Sequence, residues 1–340
     1  MLTVAYGEST LSKKMFLCKG QSVFMWDIEG KRYFVSAYSV VNQDHCHPRI
    51  YKTMINQAKT LILTSRAFYS DLLSEFEEYI TKLFRYKVLI SIPKSQTYIL
   101  ESGETACKLA RKWEYSYKDI SQNQAKIVFA EGNFSGRTMS AVSSSTDPSS
   151  YNQGPGPKDF FDSGSETVFG SDFGSVRVFG YNGLGPFMPG FEVISCDDLP
   201  ALQQILVDPN VCAFMVEPIQ GEAVVVPNHL RALFLKLSLY LEKNGYLRGI
   251  RELCTKHNVL WIADEVQTGL ARTGKRIAVD HENVKPDILM LGKTLSGRFY
   301  LVSGILANDP IMLTIKLGEH GLIYGGNPLG YKIVPEALRV

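Results

Sequence analysis

Val259-Leu260-Trp261-Ile262-Ala263-Asp264-Glu265-Val266-Gln267-Thr268-Gly269 is followed, past a polar stretch, by Ile288-Leu289-Met290-Leu291-Gly292-Lys293-Thr294-Leu295-Ser296-Gly297. Each segment opens on a short, wholly apolar run bounded by Asp, Gly or Pro. Such runs predict buried parallel strands. In an open α/β sheet, ligands bind beyond the carboxyl ends of the strands. Here an acid ends the first run and a lysine stands just past the second. That pair suits pyridoxal phosphate: the lysine takes the cofactor aldehyde, and the acid keeps the ring nitrogen protonated so that the ring draws electrons. Taken singly, each has a plainer reading. A strand-terminal Asp is commonly a turn or capping residue, and a Gly-Lys after a strand is commonly surface.

Strand and helix signals alternate on both sides of this region. Val23 to Phe34 predicts a hairpin turning at Glu29-Gly30-Lys31. Arg49–Lys59, Leu72–Phe84 and Glu104–Tyr117 carry helical patterns; Leu72, Leu73, Phe76, Tyr79, Ile80 and Leu83 recur at helical spacing. Strands are expected at Lys87–Ile92, Lys126–Ala130, Val211–Val216 and Leu301–Leu306. Further helices are expected at Leu230–Lys243 and around Gly249–Cys254. Repeated units of this kind predict an α/β fold, a mainly parallel sheet with helices on both faces. From Ser150 to Gly190, Gly, Ser, Asp and Phe dominate without a clear period, which predicts a long loop.

Composition bounds the function. The chain has 340 residues, enough for a large core and more than one domain. It is 45% hydrophobic and 21% charged with a net charge of +2, so neither nucleic acid nor a membrane is expected as a partner. No apolar run has membrane-spanning length. Six scattered cysteines favour reduced thiols over a disulfide framework. His45-Cys46-His47 lacks zinc-ligand spacing, so no metal is expected. The first residues show neither a signal peptide nor an Arg-rich presequence.

The wording of Ile262–Gly269 and Leu291–Gly297, with Glu104–Trp113 and Glu217-Pro218-Ile219-Gln220-Gly221-Glu222, resembles the class III aminotransferases. The similarity runs from about Val23 to Leu338. It implies fold type I and pyridoxal 5'-phosphate as cofactor, with Lys293 as the covalent cofactor lysine and Asp264 as the partner of the ring nitrogen. Gln267 would bond the cofactor's phenolic oxygen and Phe134 would stack on the ring; apart from the family, Phe134 reads as a core residue at a strand end. Arg137 would bind a substrate carboxylate, for which its planar fork is suited; otherwise it is a surface arginine. Tyr38 would line the substrate pocket and Glu222 would sit near the carboxylate site; their plainer readings are a packed tyrosine and a solvated acid.

Within that family the resemblance implies transfer of the δ-amino group of ornithine to a 2-oxo acid. It also implies amino-acid and 2-oxo-acid substrates, a homo-oligomer and the mitochondrial matrix, with the cytoplasm as the alternative location. The alternatives in function are a degenerate, weak or inactive relative, or a class III aminotransferase with a different amine donor. The expected organisation is an N-terminal segment (1–48), a large cofactor-binding domain (49–307, with an inserted loop at 151–180), and the start of a truncated C-terminal part (308–340). A second insertion is expected from Asn228 to Asn244. The chain departs from the family in several places, including a pocket tyrosine near the N-terminus that is replaced by Thr10 or Leu11. Thr97–Ser102 replaces a Thr-Gly phosphate turn, Leu322-Ile323 replaces a Ser-Thr phosphate contact, and Gly297-Arg298 replaces a pair of glycines. The C-terminal arginine that pairs with the counterpart of Glu222 has no match.

Overall fold

The computed structural model describes residues 16–34, 42–64, 68–93, 100–136, 138–145, 187–221, 245–316, 318–321 and 325–340. Tyr38, Arg137, Glu222, Leu322 and Ile323 lie outside the described residues, as do 97–99, the expected loop 151–180 and the expected helix Leu230–Lys243.

The main sheet has seven strands: β4 (Val88–Pro93), β5 (Lys126–Ala130), β6 (Phe191–Ile194), β7 (Val211–Val216), β8 (Leu260–Asp264), β9 (Ile288–Leu291) and β10 (Val302–Ala307). Their order is β4-β10-β9-β8-β7-β5-β6. The ladder from β9 through β8, β7 and β5 to β6 is parallel throughout. Strand β10 is antiparallel to both β9 and β4, so it alone runs against the rest. The strand order reverses at β5: the chain passes from β5 outward to β6, then returns to β7 on the other side of β5. A ligand crevice forms at such a reversal because the two crossovers leave in opposite directions.

The central strands are apolar except for Lys126 at the start of β5 and Asp264 at the end of β8, because both faces are covered. Side chains alternate along a strand, and two separate cores result. One contains Val128, Ala130, Phe214, Val216, Trp261, Ala263, Leu289 and Leu291, with Phe76 and Ile80 of helix α2 (Leu73–Phe84). The other contains Ile127, Phe129, Ala213, Met215, Ile262, Ile288 and Met290, with Ala106, Leu109 and Ala110 of helix α3 (Leu100–Tyr117). Burial of these side chains stabilises by roughly 1.5–3 kcal/mol for each large aliphatic or aromatic group.

The remaining described helices are α1 (Pro48–Ala58), α4 (Met139–Ser144), α5 (Leu199–Ile205), α6 (Tyr246–Lys256), α7 (Asp309–Met312) and α8 (Pro328–Arg339). A third, small core joins Ile50 of α1 to Leu329, Ile333 and Ala337 of α8. Gln43 ties this corner to the main sheet, donating to Thr294 O at 3.3 Å and to Ala337 O at 3.2 Å.

The expected hairpin is present as β2 (Phe24–Asp27) and β3 (Arg32–Phe34). Asp27 pins its turn by accepting from the N–H groups of Glu29 and Lys31 and from the Tyr33 hydroxyl, at 3.0, 2.9 and 2.8 Å. A further strand, β1 (Leu17–Gln21), pairs antiparallel with β2. Helix α3 starts at Leu100, earlier than the Glu104 that the sequence pattern gives.

Candidate active site

Four strands of the parallel ladder end side by side; three of them lead into the charged groups of the site and the fourth, β5, leads into Phe134. β8 ends at Asp264, which is 4% exposed. Its Oδ1 accepts the N–H of Val266 at 3.0 Å, which fixes the carboxylate at the start of the following turn. Burial pushes its pKa up to about 6, against the opposing effects of that hydrogen bond and of the Lys293 charge.

Neighbouring β9 ends at Leu291, and Gly292 carries the chain into a 3-10 turn at Lys293–Ser296. Lys293 has φ of 44°, a left-handed backbone that an L-residue adopts at a cost of about 1–2 kcal/mol. Residues held in that region cluster at functional sites. Gly297, φ 60°, closes the turn; a Cβ there would stand 2.6 Å from Ile50 Cδ1, so the close approach of α1 requires a glycine.

β7 ends in a second acid. Glu217 is 4% exposed, and burial together with the Asp264 charge pushes its pKa up to about 8. Its two oxygens accept backbone N–H groups, Oε1 from Phe134 at 2.9 Å and Oε2 from Gly221 at 3.2 Å. Lys293 opposes the rise at both acids.

β5 runs out into Glu131–Gly136, which places Phe134 beside Glu217 through that N–H. The loop is held by Gln220 Nε2 donating to Glu131 O at 2.6 Å and by Ser135 N donating to Ser145 Oγ at 3.0 Å. Gln267, on the turn after Asp264, lies hard against Gly221: a Cβ added to that glycine would come within 2.2 Å of Gln267 Oε1. The same turn is tied down by Glu265, 1% exposed, which accepts from Val279 N at 2.8 Å and from the Thr268 hydroxyl.

The structure thus places Asp264 at the carboxyl end of β8, and Lys293, Gln267 and Phe134 on the segments just beyond the carboxyl ends of β9, β8 and β5. Glu217 was given no role from the sequence. The signal was present, since an all-apolar strand stopping at an acid is the pattern that singled out Asp264. This donor set fits the ring end of pyridoxal phosphate: a buried carboxylate for a ring N–H, an amine for an aldehyde, and an aromatic side chain for a flat π-system. Among the described residues no group of His, Cys, Asp and Glu is arranged to hold a metal ion.

The family profile described as "Aminotransferase class-III" matches residues 5–340. The mitochondrial ornithine aminotransferase of Drosophila ananassae is 56% identical over 327 residues, covering 95% of this chain and 64% of that protein. The mitochondrial ornithine aminotransferase of Rattus norvegicus is 54% identical over 325 residues, covering 95% and 63%. Among solved structures, the ornithine aminotransferase of Toxoplasma gondii crystallised with oxidized glutathione matches with a TM-score of 0.80 at 38% identity, covering 98% of this chain and 68% of that one. Its active site holds pyridoxal phosphate at partial occupancy. The chain therefore spans a little under two thirds of the two curated relatives. An acid and a lysine at the ends of adjacent strands of a parallel ladder, and a family profile running almost end to end, lead to one conclusion: the chain belongs to the class III aminotransferases, which use pyridoxal phosphate.

Proposed function

We propose that this chain carries the cofactor-binding part of an aminotransferase of the ornithine type, which moves the δ-amino group of ornithine to a 2-oxo acid. One observation carries the reading: buried Asp264 and left-handed Lys293 end neighbouring parallel strands within electrostatic reach of each other. The bound cofactor supplies a conjugated ring that accepts the electron pair left when substrate loses a proton.

The chain's own residues do the rest. Lys293 Nζ would hold the cofactor aldehyde and would carry the proton of the carbon that bears the substrate nitrogen. Asp264, with one oxygen engaged by Val266 N–H, would serve the ring nitrogen and keep it protonated. Phe134 would cover a ring face and Gln267 would bond the phenolic oxygen. By the family resemblance Arg137 would bind a substrate carboxylate, and Tyr38 and Glu222 are the further residues expected to serve the substrate. The reading extends to a homo-oligomer in the mitochondrial matrix; the fly and rat relatives are named mitochondrial.

The test is to incubate the purified chain with pyridoxal phosphate, reduce with borohydride and map the label by peptide mass spectrometry. Label on Lys293, absent from Lys293→Ala, supports the reading; label elsewhere, or label that survives the substitution, overturns it. Glutamate formed from ornithine and 2-oxoglutarate tests the substrate assignment.

A further inference from the structure

Strands β5 and β7 lie side by side in parallel, with Phe129 opposite Met215. Beyond these strands, side chains tie the loop carrying Phe134 to the loop carrying Gly221. Glu217 spans the gap, one oxygen on Phe134 N and the other on Gly221 N. Gln220 adds a second tie to Glu131 O.

Both ends of the Glu217 clamp lead to the cofactor. Phe134 is the ring-stacking residue. Gly221 packs so closely on the Gln267 carboxamide that its position limits where that amide can lie. We propose that Glu217 is a positioning residue for the cofactor: its carboxyl group fixes Phe134 on the ring face and, through Gly221, Gln267 at the phenolic oxygen. This rests on the reading of the site given above.

The choice of side chain supports the assignment. Two N–H donors on opposite sides need two acceptor oxygens in one group. A glutamine offers one oxygen and would turn its own N–H₂ toward the other donor. An acid is an expensive clamp here, since burial and the neighbouring Asp264 charge both work against its ionised form.

The experiment compares wild type with Glu217→Gln and Glu217→Asp. The first keeps the size and loses one acceptor; the second keeps the charge and is one methylene too short to reach both loops. Cofactor affinity is read by absorbance titration with pyridoxal phosphate, ring orientation by the circular dichroism induced in the cofactor band, and fold integrity by the far-ultraviolet spectrum and melting temperature without cofactor. The expected result is a Kd raised about tenfold, the equivalent of one hydrogen bond. The induced signal falls to about half or less while the melting temperature stays within a few degrees, a pattern that one displaced loop would produce and loss of global stability would not.

Wild-type Kd and wild-type induced signal in both variants overturn the inference. So does failure of both to fold, which makes Glu217 a structural residue. No cofactor binding by the wild-type chain overturns the reading of the site itself, and is thereby distinguished from failure of the clamp alone.

Discussion

Glu114 is the acid whose removal most directly tests the buried electrostatics. It sits on α3 with no exposed surface, and the ammonium of Lys118 lies 3.4 Å from its Oε2. Burial pushes its pKa from 4.5 up to about 8, with Lys118 pulling the other way. In the unfolded chain the carboxyl is ionised above about pH 4.5, near the ordinary glutamate value. Between the two values the folded chain holds a proton that the unfolded chain has released. Stability is then full below the unfolded value and falls with rising pH, by about 1.4 kcal/mol per pH unit from this group. From pH 5.5 to 7.5 the loss is at most about 3 kcal/mol. Glu114→Gln keeps the shape and removes the titration, and Lys118 retains its bond to Val211 O at 3.1 Å. Thermal melts of the cofactor-free protein at the two pH values give the readout. The wild type should lose roughly 5 °C more than the variant across that interval. Asp264, Glu217 and Glu265 are also pushed up, so both proteins lose stability with pH, and the difference isolates position 114. Parallel pH profiles would refute the reasoning.

Arg298, exposed at φ 68° directly after left-handed Gly297, should be better served by glycine. Arg298→Gly is expected to stabilise by about 0.5–1 kcal/mol in urea unfolding, whereas Arg298→Ala, which keeps the backbone conflict, gains nothing. Glu282 caps α6 from a distance, accepting Arg248 N at 2.9 Å and Leu247 N at 3.4 Å; Glu282→Ala strands two N–H groups and should destabilise by about 2–3 kcal/mol in the same assay. Replacing Leu322→Ser with Ile323→Thr supplies the hydroxyls expected of the family at that place, and should lower the Kd for pyridoxal phosphate about tenfold in fluorescence titration.

The parallel core was legible because its strands are short, wholly apolar and sharply bounded. Val211–Val216, Lys126–Ala130 and the run ending at Asp264 stand out for that reason. Asp264 and Lys293 stood out because each follows directly on a sharply bounded apolar run, whereas Gln267 and Phe134 entered as expectations of the family resemblance. Other elements left no comparable trace. β1 reads Leu-Cys-Lys-Gly-Gln, with neither alternation nor an apolar run. β6 is four residues long and follows the Gly-rich region. α8 contains Pro335 and Gly330, which weaken any helical pattern, and it forms because its apolar side has α1 to pack on. The reversed direction of β10 has no signature in a single apolar run. Glu217 went unassigned because its role depends on two loops that only the folded sheet brings together.

The left-handed backbone at Lys293 sets a standing conflict between folding and chemistry. At φ 44° glycine would fit without strain, and every side chain longer than hydrogen makes the turn harder to form. Lysine is kept there against the preference of the fold. Lys293→Gly should therefore yield a chain more resistant to unfolding by about 1 kcal/mol and unable to hold its cofactor covalently. The residue proposed to hold the cofactor would in that sense be one the fold is more comfortable without, and selection for stability alone would tend to erase it.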